Sequence, residues 1–103
     1  KAYEMKKLIK LMADYQCYPL WEYDELGLIG NLNPESLPIS RSLIDRLDNW
    51  SSLYDKTLCL DNPVESGFSS YEDELYFKAM GEGLAKELKD ELEGKYNIIY
   101  NIN

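Results

Sequence analysis

Five apolar residues, Phe77, Met80, Leu84, Leu88 and Leu92, recur three and four positions apart between a serine pair and a glycine. That spacing puts them on one stripe of a helix, whereas a strand would scatter them over both faces. Ser69 or Ser70 is the expected N-cap, Glu72 or Asp73 closes a capping box, and Gly94 is the natural stop. Glu74–Lys78, Glu82–Lys86 and Glu91–Lys95 stand in the favourable i,i+4 order. Gly81 and Gly83 each cost such a helix about 1 kcal/mol relative to alanine, which points to close backbone approach or a kink. A second stripe, Leu43, Ile44, Leu47, Trp50 and Tyr54, follows Ser40 and predicts a helix over about 40–55. Its wet side carries Arg41, Asp45, Asp48 and Asn49.

Alternation takes over on either side of this helical pair. Residues 6–15 read as a strand through Ile9, Leu11 and Ala13, and residues 20–24 alternate more cleanly. In the second run Trp21 and Tyr23 point one way, and Leu20, Glu22 and Asp24 the other. Trp21 is assigned to the core, and Glu22 and Asp24 to a partner or to water. Gln16 to Pro19 connects the two runs as a hairpin, with Pro19 at a strand start or edge. Residues 27–38, with two glycines, two asparagines and two prolines, read as loop with a short extended piece at Leu28-Ile29. Asp61 to Gly67 is a linker of turn formers. Residues 96–102 form a last strand with Tyr96, Ile98, Tyr100 and Ile102 on one face.

The predicted order is β-β-α-α-β: an α+β fold in which a small three-stranded sheet carries two helices on one face. At 103 residues this is one domain. Met5-Lys6-Lys7 has the form of a natural start, so residues 1–4 are expected to be an expression remnant and 5–103 the domain. No run approaches a membrane span and the N-terminus lacks a signal pattern, so a cytoplasmic protein is expected.

The chemistry on offer is narrow. There is no histidine, the commonest general base and metal ligand. Nineteen acids against eleven bases give a net charge of −8, a field that repels nucleic acid and membrane headgroups and attracts cationic proteins. The same charge also serves plain solubility. Cys17 and Cys59 are too few for a disulfide framework, and no acidic run fits a calcium loop, so neither metal nor other cofactor is expected. Glu22 and Asp24 share a strand face and Cys17 falls in a turn. Paired catalytic carboxylates need a deep cleft, and a nucleophilic thiol needs a cationic neighbour. A small acidic enzyme using Glu22 and Asp24, or Cys17, is therefore the alternative, as is a general acidic adaptor.

A binding surface fits better. Residues 14–25 pack four aromatics and four carboxylates into twelve positions, and nine tyrosines cannot all be buried in so small a domain. Exposed tyrosine beside carboxylate is the composition of a protein-recognition patch. The expected partner-binding residues are Asp14, Tyr15, Tyr18, Glu22, Tyr23, Asp24 and Glu25, with Glu72 and Asp73 as a second patch.

The run Leu11-Met-Ala-Asp-Tyr-Gln-Cys-Tyr-Pro-Leu-Trp-Glu-Tyr-Asp24 is distinctive. So are Gly30-Asn-Leu-Asn-Pro-Glu-Ser-Leu-Pro38 and the Asn-Pro-x-x-Ser-Gly-Phe element at 62–68. Together they resemble a group of small bacterial immunity proteins of toxin systems, including contact-dependent growth inhibition, over nearly all of residues 5–103. The resemblance implies an inhibitor that binds a cognate toxin domain and blocks its active site, and it brings no functional residues with it. Toxic nuclease domains are basic because they bind phosphate backbones, so an acidic inhibitor suits such a partner.

Overall fold

The structure, a computed structural model, describes residues 7–59 and 66–100. Strands β1 (Lys7–Leu11), β2 (Leu20–Asp24) and β3 (Gly27–Leu32) come first, and a short 3₁₀ turn at Pro34–Ser36 follows. Helices α1 (Arg41–Asp55) and α2 (Tyr71–Glu91) lead to β4 (Tyr96–Ile99). The α+β class and the helical pair agree with expectation. The sheet does not, because it has four strands in the order β3-β2-β1-β4. The linker at 61–65 and Ile102 lie outside the described residues.

The missing strand was the segment read as loop. Its glycines and asparagines hide any alternation, but the turn before it makes a strand there. Asp24 Oδ1 accepts from the Leu26 backbone N–H at 2.8 Å, and Gly27 takes a φ of +126° that a side chain would oppose. The chain therefore folds back after two residues. β3 pairs antiparallel with β2 from Asp24↔Gly27 to Leu20↔Leu32, and a bulge absorbs Ile29 as the extra residue. On the other side β1 pairs antiparallel with β2 and parallel with β4, which sets Ile9 beside Ile98.

Both helices cover the face of the sheet that carries Ile9, Leu11, Leu20, Leu32 and Ile98. Leu43, Leu47 and Trp50 from α1, with Phe77, Leu84 and Leu88 from α2, complete the core. Each fully buried leucine of this kind contributes about 1.5–3 kcal/mol. Trp50 stacks on Phe77 at 4.4 Å and donates its indole N–H to the Phe77 carbonyl at 2.9 Å, which locks the two helices together. Ser40 caps α1 through Leu43 N–H, and Ser70 caps α2 through Asp73 N–H. Gly81 is the close approach: a Cβ there would stand 2.9 Å from Trp50 Cζ2 and strike the Tyr100 ring. Gly83 meets nothing within 4 Å.

The alternation of β2 holds, but its polarity is the reverse of the expectation. Leu20 is fully buried under the helices, and Trp21 and Tyr23 occupy the opposite face. Trp21 is therefore not a core residue. Ile9 and Leu11 of the neighbouring strand decide this, because a strand paired to them must turn Leu20 to their side.

Candidate functional site

The face of the sheet away from the helices is the most unusual surface of the molecule. Pairing brings Leu8 beside Tyr23, Lys10 beside Trp21, Tyr23 beside Leu28, and Lys10 beside Ile99 on that side. Among the described residues no element packs over it. A solvent-facing sheet side should be polar. Among the described residues only Lys10, Asn31, Asn97 and the Tyr23 hydroxyl supply polarity there, while Leu28 is 56% and Ile99 37% exposed. Trp21 is half-buried among its neighbours and its indole N–H donates to the Met12 carbonyl at 2.9 Å, so the ring is fixed.

The β2–β3 hairpin carries this surface outward. At its tip Leu26 is 91% exposed, flanked by exposed Asp24 and Glu25, and Ile29 in the bulge is also exposed. Neither Asp24 nor Glu25 forms an ion pair among the described residues. Glu22, in contrast, lies on the helix side, only 16% exposed, and pairs with Lys7 at 3.4 Å. It is thus separated from Tyr23 by the thickness of the sheet.

At the other end of β2 the loop before it is tied to α1. Tyr15 stacks on Tyr54 with ring centroids 4.6 Å apart, and its hydroxyl meets Thr57 Oγ1 at 2.9 Å. Gln16 adopts φ +59° and donates its N–H to Asp55 at 2.8 Å. Asp14 is exposed and accepts from Tyr15 N–H. Tyr18 is exposed, and its backbone N–H and carbonyl are both held by the Asn31 side chain. Burial pushes the ionisation of the Tyr54 hydroxyl up, with Tyr15 and Asp14 adding to the shift.

Glu72 and Asp73 sit exposed in the first turn of α2, where Asp73 Oδ2 accepts from Ser69. Asp73 also lines a cleft of about 400 Å³ with Leu53, Phe68 and Tyr76. Phe68 packs edge-on against Tyr54. The expected second patch therefore adjoins the end of the molecule that holds Tyr15, while Tyr23, Asp24 and Glu25 lie at the far end. Five residues of β2 rising about 3.3 Å each separate the two groups.

The catalytic alternatives find little support in this geometry. A second cleft, of about 280 Å³, lies between β1, the helices and Tyr100 over an aromatic floor of Trp50, Tyr54 and Phe77. Glu22, Asp24 and Cys17 line neither cleft. Cys17 and Cys59 are free and half-buried. Among the described residues no three Cys, Asp or Glu side chains gather as a metal site, and no helix is long and apolar enough to cross a membrane.

Of the expected residues, then, the hairpin brings together Tyr23, Asp24 and Glu25, and the helical end brings Asp14 and Tyr15 towards Glu72 and Asp73. Trp21, Leu26, Leu28, Ile29 and Ile99 went unrecognised as surface groups. The signal for Leu26, Leu28 and Ile29 was the Asp24-x-x-Gly27 spacing, which makes a hairpin with Leu26 at its tip and a strand of Leu28 and Ile29.

The family model described as Serratia CdiI immunity protein-like matches residues 7–103. No curated protein matches the chain.

Proposed function

The chain belongs to the Serratia CdiI immunity protein-like family, and from that premise we propose that it neutralises a cognate toxin domain by binding it and blocking its active site. The toxin domain is basic and a nuclease in this reading, and the inhibitor performs no chemistry of its own. One observation carries the reading: Asp24 and Glu25, exposed carboxylates without ion-pair partners among the described residues, stand beside the exposed aliphatic side chains of Leu26, Leu28 and Ile29 and the half-buried ring of Tyr23. Carboxylates in such a place draw in a cationic surface and stand where a nucleic acid's phosphates would lie. Aromatic and aliphatic groups then supply the contact that slows dissociation.

Tyr18, Tyr23, Asp24 and Glu25 are the primary partner-binding residues in this proposal, with Asp14, Glu72 and Asp73 as a second acidic group. Tyr15 and Glu22 support these positions, since their polar atoms are engaged within the chain. The test is co-purification with the C-terminal domain of the toxin encoded beside its gene, at low and high salt. A complex at low salt that weakens as salt rises is expected. Absence of binding at low salt refutes the proposal.

A further inference from the structure

We infer that the toxin docks on the uncovered face of the sheet, around Trp21, Tyr23, Leu28 and Ile99, and meets it with an apolar patch rimmed by lysine and arginine. This inference rests on the neutralisation reading and names its surface.

Composition is the first ground. Every strand contributes an apolar or aromatic side chain to this face, and solvent alone gives no reason for Trp21, Tyr23 and Leu8 to share it. Preorganisation is the second. The Trp21 ring is held by its bond to the Met12 carbonyl, so a partner that covers it need not freeze its rotamer. A large aromatic held in this way has the character of an energetic anchor.

Charge selects the occupant. Two copies of a chain of net charge −8 repel one another, which disfavours pairing of this face with itself. Asp24 and Glu25 border the face at the hairpin tip without ion-pair partners among the described residues, and they complement a cationic rim. Lys10, the one base within the face among the described residues, has a long aliphatic stem that can lie under a partner while its ammonium reaches water.

The experiment uses the toxin domain encoded beside the gene. Leu28→Lys places a charge at an exposed strand position, and Asp90→Lys reverses an exposed charge on α2, which covers the opposite face of the sheet and has no binding role in the proposed function. Leu28→Lys is expected to weaken binding about tenfold or more, and Asp90→Lys about threefold or less. In parallel, hydrogen exchange on the wild-type complex should slow at residues 20–32, without relying on any variant's folding. Unchanged binding by Leu28→Lys, or protection confined to residues 53–57 and 71–76, overturns the inference while leaving neutralisation standing. A free protein that dimerises, and loses the dimer on Leu28→Lys, overturns it in favour of a second copy. No binding by the wild type at low salt removes the neutralisation reading itself.

Discussion

Glu91, the last residue of α2, holds both the backbone N–H and the hydroxyl of Ser40, the N-cap of α1, at 2.5 and 2.7 Å. In an ordinary capping box a glutamate three residues inside the same helix takes the N-cap's N–H. Here position three is Leu43, needed in the core, and the carboxylate comes from the neighbouring helix. Glu91 was expected to pair with Lys95, and the cap takes it instead. Ser40→Ala should cost about 1 kcal/mol, and Glu91→Ala about half that, because the freed N–H is solvent-exposed. Urea denaturation of both single variants and the double should reveal coupling. Strict additivity would mean that the bond between the Ser40 hydroxyl and Glu91 carries no energy.

Gly81 and Gly83 should respond in opposite ways to the same substitution. Gly81→Ala drives a methyl into Tyr100 and Trp50 and is expected to cost about 1–3 kcal/mol. Gly83→Ala enters open space in a helix interior and should stabilise by about 0.5–1 kcal/mol. Midpoints of chemical denaturation for the two variants check both signs.

Arg46 and Glu87 join α1 to α2 through two guanidinium–carboxylate bonds, one at 2.7 Å. The hydrogen bond from Arg46 holds the Glu87 carboxyl below its usual range, and the same bond raises the already high Arg46. A carboxyl whose pKa is lowered on folding adds stability above its unfolded pKa, about 4.3, and loses it as pH falls through the folded value. Both side chains are well exposed, so the pair contributes only about 0.5 kcal/mol. Glu87→Gln should therefore lower Tm slightly at pH 7, and the difference from wild type should vanish in strong acid. A gap that widens on acidification would contradict this.

Removing charge at the hairpin tip should slow association with the toxin domain without unfolding the protein. Asp24→Asn keeps an acceptor for the Leu26 N–H, and Glu25 makes no polar contact within the described chain. The combined Asp24→Asn, Glu25→Gln variant is expected to associate about three- to tenfold more slowly at low salt, with the gap closing at high salt. Glu22→Gln should show the opposite profile, a lower Tm through loss of the Lys7 pair and an association rate close to wild type. Stopped-flow rates and melting curves separate the two.

The helices were legible because their stripes and caps are local: Ser40, Ser70 and the spacing from Phe77 to Leu92 required no knowledge of the rest of the chain. The strands were legible in period but not in polarity. Leu20 and Trp21 are both apolar, and only pairing with Ile9 and Leu11 decides which is buried. β3 escaped because Gly27 and Gly30 dilute its pattern and the bulge at Ile29 breaks its period, so its existence depends on the turn before it and on β2 beside it. The candidate surface was half legible for the same reason. Its acids, Asp24 and Glu25, could be read in the sequence, whereas its apolar part is assembled from four strands that only the fold brings together.

Inhibition in the proposed function is stoichiometric occlusion. The most direct measurement is a titration of the toxin domain's activity with the purified protein, followed by separation of the pair in denaturant and renaturation of the toxin. Activity should fall linearly to zero at one equivalent, and the separated toxin should regain full activity at unchanged mass. Loss of activity far below one equivalent, or a toxin that stays inactive or altered in mass after separation, would contradict the account.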